Sequence, residues 1–166
     1  MMRFAPLVVF LLLALALGTA LLSGGAAKPP DVMVGRALPQ TPVSGLDLAM
    51  LGRGTVIVNF FASWCAPCAD EQPVLARLAG QTSAPLVGIA YKDKSEAVRE
   101  WLDAYGNPFD ALGFDAQGGA AIDWGVYGVP ETYVLVDGVI RHRHVGPLDD
   151  AAVARDIAPL LPEAVR

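Results

Sequence analysis

The sequence predicts an α/β domain with a mixed central sheet flanked by helices, and three features predict it. Thr55 to Phe61 is a continuous β-branched and aromatic run, the pattern of a strand buried on both faces. Leu86 to Tyr91 is a second such run, separated from the first by helix-period sequence. Thr132 to Val136 and Val139 to Val145 flank Asp137-Gly138, a strong two-residue hairpin turn. The order is βαβα followed by ββα, a sheet of mixed direction.

The elements follow in chain order. Val32 to Gly54 is punctuated by Gly35, Pro39, Pro42, Gly45, Gly52 and Gly54, and is expected to form an N-terminal strand or hairpin extension. A helix should start at or just after Cys65, tolerate Pro67 in its first turn, kink at Pro73 and stop near Gly80. Ser95 can cap the next helix, where Ala97, Val98, Trp101, Leu102 and Tyr105 recur as a core stripe before Gly106 ends it. Gly106 to Gly128 carries one proline and six glycines and reads as turns with one short strand and one short helix. In the hairpin's return strand, His142 and His144 share one face, while Arg141 and Arg143 on the other are expected to be solvated. Asp149 caps a terminal helix through Val153, Ile157 and Leu160.

The chain has a leader. Phe4 to Ala27 contains no charge, Leu7 to Leu22 is almost unbroken apolar sequence, and only Arg3 precedes it. A cleaved signal peptide, with Gly25-Ala26-Ala27 as its peptidase site, competes with an uncleaved signal anchor. The apolar run exceeds the usual ~7–15 residues of a signal peptide's core, which favours the anchor. The expected organisation is therefore a signal-anchor transmembrane segment over residues 1–27 and an exported domain over 28–166. Lys28-Pro29-Pro30-Asp31 would be a short stiff tether. Arg3 held inside places the domain outside the cytoplasmic membrane, in a bacterial periplasm or its equivalent.

The whole chain carries a net charge of −5; without Arg3 and the rest of the leader, 11 basic residues face 17 acidic ones. That balance argues against a nucleic-acid partner. The domain has two cysteines, both in Trp64-Cys65-Ala66-Pro67-Cys68, directly after the first buried strand. A thiol at a helix start meets free N–H groups and the helix dipole, which favour the nucleophilic thiolate. A structural disulfide and half of a zinc site are the alternatives. A bridge across so short a loop contributes little entropic stabilisation. A zinc site would have to recruit His142 and His144, the chain's two histidines.

With Gly125-Val126-Tyr127-Gly128-Val129-Pro130-Glu131-Thr132-Tyr133 before the hairpin, the Cys-x-x-Cys segment resembles the thioredoxin superfamily and, more narrowly, the DsbE/CcmG family of cytochrome c maturation. Tyr91-Lys92-Asp93-Lys94, Gly106-Asn107-Pro108 and Ile140 to Gly146 are similar to that family too, and the likeness covers most of residues 32–161. The resemblance implies a thioredoxin-like fold, with Cys65 as the exposed attacking thiolate and Cys68 as the resolving thiol. It also implies a cis-proline at Pro130 that presents Val129 to substrate, and a substrate-facing Trp64. Glu71 and Glu131 match acidic residues near the family's site, and their charge would raise the thiol pKa. For Glu71 an ordinary exposed carboxylate is the alternative. Asn59 stands where many thioredoxins place a buried carboxylate.

The resemblance implies a membrane-anchored, monomeric thiol–disulfide oxidoreductase acting as a periplasmic reductant, with no bound cofactor and no metal. Its partners would be an apocytochrome c bearing Cys-x-x-Cys-His, or an assembly protein, and a membrane electron donor of the DsbD/CcdA type. The alternatives are a general extracytoplasmic disulfide reductase or oxidase, and a non-catalytic module that holds apocytochrome or haem. A peroxidase of the peroxiredoxin kind is disfavoured, because residue 62 is alanine where such sites carry Thr or Ser.

Overall fold

A computed structural model describes residues 5–23 and 32–162. Contacts divide the chain into two units, Met1–Pro30 and Asp31–Arg166. Within the first, Ala5–Ser23 forms helix α1. Nineteen residues at 1.5 Å rise span roughly 28 Å, slightly less than a hydrocarbon core of about 30 Å. Among the described residues no helix is long and apolar enough to cross a membrane. The span expected over residues 1–27 is thus not shown, and its two ends, like residues 28–31 of the tether, lie outside the described residues.

The second unit holds a five-stranded sheet in the order β3-β2-β1-β4-β5, with strands β1 (Thr55–Phe61), β2 (Leu86–Tyr91), β3 (Ala111–Asp115), β4 (Glu131–Val136) and β5 (Val139–Val145). The β1–β2 and β2–β3 pairs are parallel and the β1–β4 and β4–β5 pairs antiparallel, so the sheet is mixed. Central strand β1 is buried from Val56 to Phe61, as its unbroken apolar run requires. Its alternate side chains feed two cores. Ile57 and Phe61 join α2 (Ala66–Gln81), α3 (Ser95–Tyr105) and α5 (Asp150–Ala152). Val56, Val58 and Phe60 pack with α4 (Gly119–Asp123) and the 33–51 segment.

Several expectations are corrected. Residues 32–54 form no strand or hairpin. Ala37 bridges Val139 on the β5 edge, Ser44 bridges Phe114 on the β3 edge, and Leu48–Gly52 is a 3₁₀ turn. The glycines and prolines prevent a continuous ladder, yet Met33 before the bridges and Leu38 and Val43 between them are buried against the sheet. The segment therefore straps one face from edge to edge: Gly35, Arg36 and Leu38 exchange backbone hydrogen bonds with Gly138 and Ile140 at the β5 edge, and Ser44 accepts from Phe114 at the β3 edge. Ser95 begins α3 rather than capping it; Lys94 occupies the cap position without a side-chain bond. Tyr105 is 56% exposed, although its ring still lies 5.3 Å from that of Trp101. The terminal helix is irregular: α5 passes into a π turn, Val153–Ile157, and a 3₁₀ turn, Ala158–Leu160.

Gly88 on β2 shows how close the packing is. A Cβ there would lie 2.9 Å from ring atoms of both Phe61 and Phe109, whose rings stack at 4.9 Å. Gly88→Ala is expected to destabilise the domain by about 1–3 kcal/mol through overpacking. Urea unfolding should show a lower midpoint with an unchanged m value; an unchanged midpoint would mean the rings move aside freely.

Candidate active site

The site lies where β1 ends and α2 begins. Cys65 is the N-cap of α2, in extended conformation (φ −93°, ψ 105°), and its sulfur accepts the backbone N–H of Cys68 at 3.2 Å. A helix start leaves such amides without partners, and a sulfur bearing negative charge is the acceptor they favour most. Pro67 in the first turn removes a donor that the helix would leave unused. Cys65 and Cys68 are joined as a disulfide. Cys65 is 5% exposed and Cys68 fully buried, so the order of exposure is as expected, but Cys65 is not an open thiol. The cis-proline loop covers it. The Val129–Pro130 peptide is cis, and the Val129 carbonyl oxygen stands 3.5 Å from the Cys65 sulfur.

The approach to the sulfur is flanked by Trp64, which the sequence named, and held by Asp93, to which it gave no role. Asp93 accepts the Ser63 amide at 2.6 Å and the Lys94 amide at 2.7 Å, tying the Tyr91–Lys94 turn to the strand–helix junction. Trp64 donates its indole N–H to the Lys92 carbonyl at 3.4 Å and remains 59% exposed. Tyr127 on the proline loop is 67% exposed. Two aromatic side chains thus stand open on the segments that flank the disulfide, one on each.

Behind the disulfide lie two buried carboxylates in opposite circumstances. Glu71, one helical turn beyond Cys68, is 1% exposed, so the ordinary surface carboxylate is excluded. Its Oε1 accepts from Asn59 Nδ2 at 2.9 Å and its Oε2 from the Leu148 amide at 2.8 Å. Asn59 Nδ2 also reaches Thr132 Oγ1 at 3.0 Å. Burial pushes the Glu71 carboxyl from its ordinary 4.5 up to about 7; the Leu148 amide and then the Asn59 amide pull it back. The cluster accommodates either state. Turning the Asn59 amide over lets its oxygen accept from a protonated Glu71 and from Thr132.

Glu131 is also fully buried, but it is paired. Arg143 forks onto its Oε2 through two nitrogens at 2.8 Å. The Tyr127 and Gly128 amides donate to Oε1 at 2.8 and 3.3 Å. The Tyr133 hydroxyl sits 2.9 Å from Oε2, and burial pushes its pKa upward, so it remains a donor. Arg143 also donates to the Gly125 carbonyl and lies 5.0 Å beneath the Tyr127 ring. Two sequence expectations change here. Arg143 is not solvated: a β-bulge opposite Val134 and Leu135 absorbs Arg141 and turns Arg143 inward with Ile140. The charge of Glu131 is matched by Arg143, so it braces the loop from Tyr127 to Pro130 instead of loading Cys65 with a bare negative neighbour.

A sequence profile of the AhpC/TSA family matches residues 34–143. The thiol:disulfide interchange protein CycY of Rhizobium leguminosarum is 45% identical over 120 residues, which are 72% of this chain and 64% of CycY, slightly under two thirds of its length. The thiol:disulfide interchange protein DsbE of Vibrio cholerae is 36% identical over 169 residues, 95% of this chain and 91% of that one. In fold, the chain is similar to a crystal structure described as a DsbE thiol:disulfide interchange protein from Chlorobium tepidum. The TM-score is 0.65 at 22% identity, covering 73% of this chain and 91% of the other.

An acid whose folded pKa lies above its unfolded value stabilises the fold at low pH and loses that contribution as pH rises through the folded value. Glu71 should therefore lower stability progressively between pH 4.5 and about 7, by on the order of 3 kcal/mol. Urea unfolding of the oxidised protein at pH 5 and pH 7.5 should show that difference, and Glu71→Gln should remove it. A variant with the wild-type pH dependence would place the titration elsewhere. For the second carboxylate, Arg143→Met leaves Glu131 unpaired and should cost about 3–5 kcal/mol. Adding Glu131→Gln should restore part of the loss, whereas simple additivity of the two losses would contradict the pairing.

Proposed function

We propose that this chain, which belongs to the AhpC/TSA family and within it to the DsbE and CycY thiol:disulfide interchange proteins, is an exported reductant of cytochrome c maturation. As a thiol–disulfide oxidoreductase it would act on the disulfide of an apocytochrome c haem-binding Cys-x-x-Cys-His segment, or on an assembly protein carrying that disulfide. One observation carries the reading: the Cys65 sulfur caps α2 through the Cys68 N–H and faces the Val129 carbonyl of the cis-proline loop.

In the reduced protein the Cys65 thiolate attacks one sulfur of the substrate disulfide. A Cys65–substrate bond forms, the substrate S–S bond breaks, and the other substrate sulfur leaves as a thiolate and takes a proton. Cys68 then loses its proton and attacks the Cys65 sulfur. The second substrate sulfur is released, and the Cys65–Cys68 disulfide closes with two electrons transferred to substrate. Glu71 receives the Cys68 proton in this reading. It lies three residues on along the same helix face, and a carboxyl near pKa 7 is suited to exchange protons at neutral pH. Val129 offers backbone groups to an extended substrate segment, and exposed Trp64 flanks it. Glu131 keeps the Pro130 loop in place through Arg143 and the Tyr127 and Gly128 amides.

The wider setting is part of the proposal. The uncharged sequence from Phe4 to Ala27 behind Arg3 supports export, with the leader kept as a single-pass anchor and the 28–166 domain in the periplasm. Re-reduction of Cys65–Cys68 there requires a membrane donor of the DsbD/CcdA type.

Trapping tests this reading. In cells, Cys68→Ser should arrest mixed disulfides on Cys65 with Cys-x-x-Cys-His proteins or their assembly partners, and Cys65→Ser should abolish both the adducts and cytochrome c assembly. Adducts with only unrelated clients would make the chain a general reductase or oxidase. Assembly that survives Cys65→Ser would make it a holding module.

A further inference from the structure

A third ligand meets the paired histidines of β5, and none of the three belongs to the disulfide chemistry or the loop brace. His142 and His144 lie two residues apart in β5, opposite Val134 and Thr132 of β4. The chain then turns at Gly146, and its returning helix widens into the π turn at Val153–Ile157. A π turn inserts one residue into a helix and re-aims its neighbours, and single π turns are frequent at functional sites. Here Ile157 stays buried in the core while Asp156 faces the hairpin. His142, His144 and Asp156 are each partly buried, and each offers a ligand atom within 4.8 Å of the other two.

From this arrangement we propose that His142, His144 and Asp156 hold one divalent ion of the zinc class, at a site separate from Cys65 and Cys68. Two imidazoles and a carboxylate are a zinc donor set that leaves a fourth position for water or an incoming ligand. Tetrahedral zinc, with bonds of about 2.0–2.1 Å, keeps its donors about 3.4 Å apart. The three groups must therefore close by at most about 1.4 Å, a movement of side chains on fixed backbone. The outer arrangement also fits. His144 Nε2 lies 3.3 Å from the Pro147 carbonyl oxygen. A proton donated there leaves Nδ1 as the lone-pair nitrogen, the support that metal-bound histidines usually have. At Asp156 the competing partner is an arginine that reaches in from solvent. Arg155 forks onto Asp156 at 2.8 and 2.6 Å, but its own side chain is 67% exposed. An ion pair with an arginine that stands in solvent contributes little in water, so a divalent cation can displace it.

The test is zinc titration calorimetry on the full chain in detergent, with the Cys65–Cys68 disulfide closed so that no thiol can bind metal. One zinc ion per chain is expected. His142→Ala, His144→Ala and Asp156→Asn should each weaken binding by about tenfold or more, since even groups one layer further out command that range. Arg155→Gln, a surface change, should tighten it by freeing Asp156. Absence of zinc binding would overturn the proposal. So would equal binding by the His142→Ala/His144→Ala double variant with an unchanged circular dichroism spectrum, or an affinity that falls in Arg155→Gln.

Discussion

The Cys68 N–H donated to the Cys65 sulfur, at 3.2 Å, is the contact on which the rest of the molecule depends. It makes a cysteine the cap of a helix, so the amides that a serine or aspartate would normally satisfy are offered to a sulfur. The direction of that cap is fixed by β1, whose burial from Val56 to Phe61 leaves the strand end no freedom to shift. Asp93, gripping the Ser63 amide, closes the remaining slack. The sheet, the β2–α3 turn and the helix thus converge on one sulfur, and the Val129 carbonyl meets it from the other side.

The two buried carboxylates show how one fold handles the same cost in two ways. Glu131 stays beside a fully buried arginine that makes up its charge, and the pair organises the loop that carries Tyr127, Gly128, Val129 and Pro130. Among the described residues Glu71 has hydrogen-bond donors but no cation beside it, so burial prevails and pushes its carboxyl up to about 7. A fixed charge suits a brace. A titrating one suits a proton acceptor one helical turn from Cys68. The pairing with Asn59 follows from the same geometry: an amide can bond a carboxyl in either protonation state, whereas a second carboxylate could not do so without raising the pKa further.

Much of this was legible in the sequence because it rests on local patterns. Continuous apolar runs gave β1 and β2, Asp137-Gly138 gave the β4–β5 hairpin, and the Cys-x-x-Cys spacing after a strand placed the sulfurs at a helix start. The failures share a cause: they are set by long-range packing. The strap over residues 32–54 exists because two distant strand edges need cover, and its glycines and prolines signal only irregularity. Arg143 read as solvated because strict alternation places it outward; a bulge at Arg141, which no residue type announces, reverses it. From the sequence Glu71 is expected near the site, with an exposed surface carboxylate as the alternative, and only the Leu148 amide arriving from the far end of the chain decides between them by enclosing it. The meeting of Asp156 with the histidines depends on a π turn for the same reason.

The central claim is that the fold makes Cys65, and not Cys68, the reactive sulfur by capping α2 with it. Ultraviolet titration of the thiolate in the fully reduced chain tests this most directly. The account predicts one thiol ionising below the free-cysteine value of about 8.5, and loss of that early step in Cys65→Ser but not in Cys68→Ser. An early step that persists without Cys65, or two thiols that both titrate at or above the free value, would contradict it.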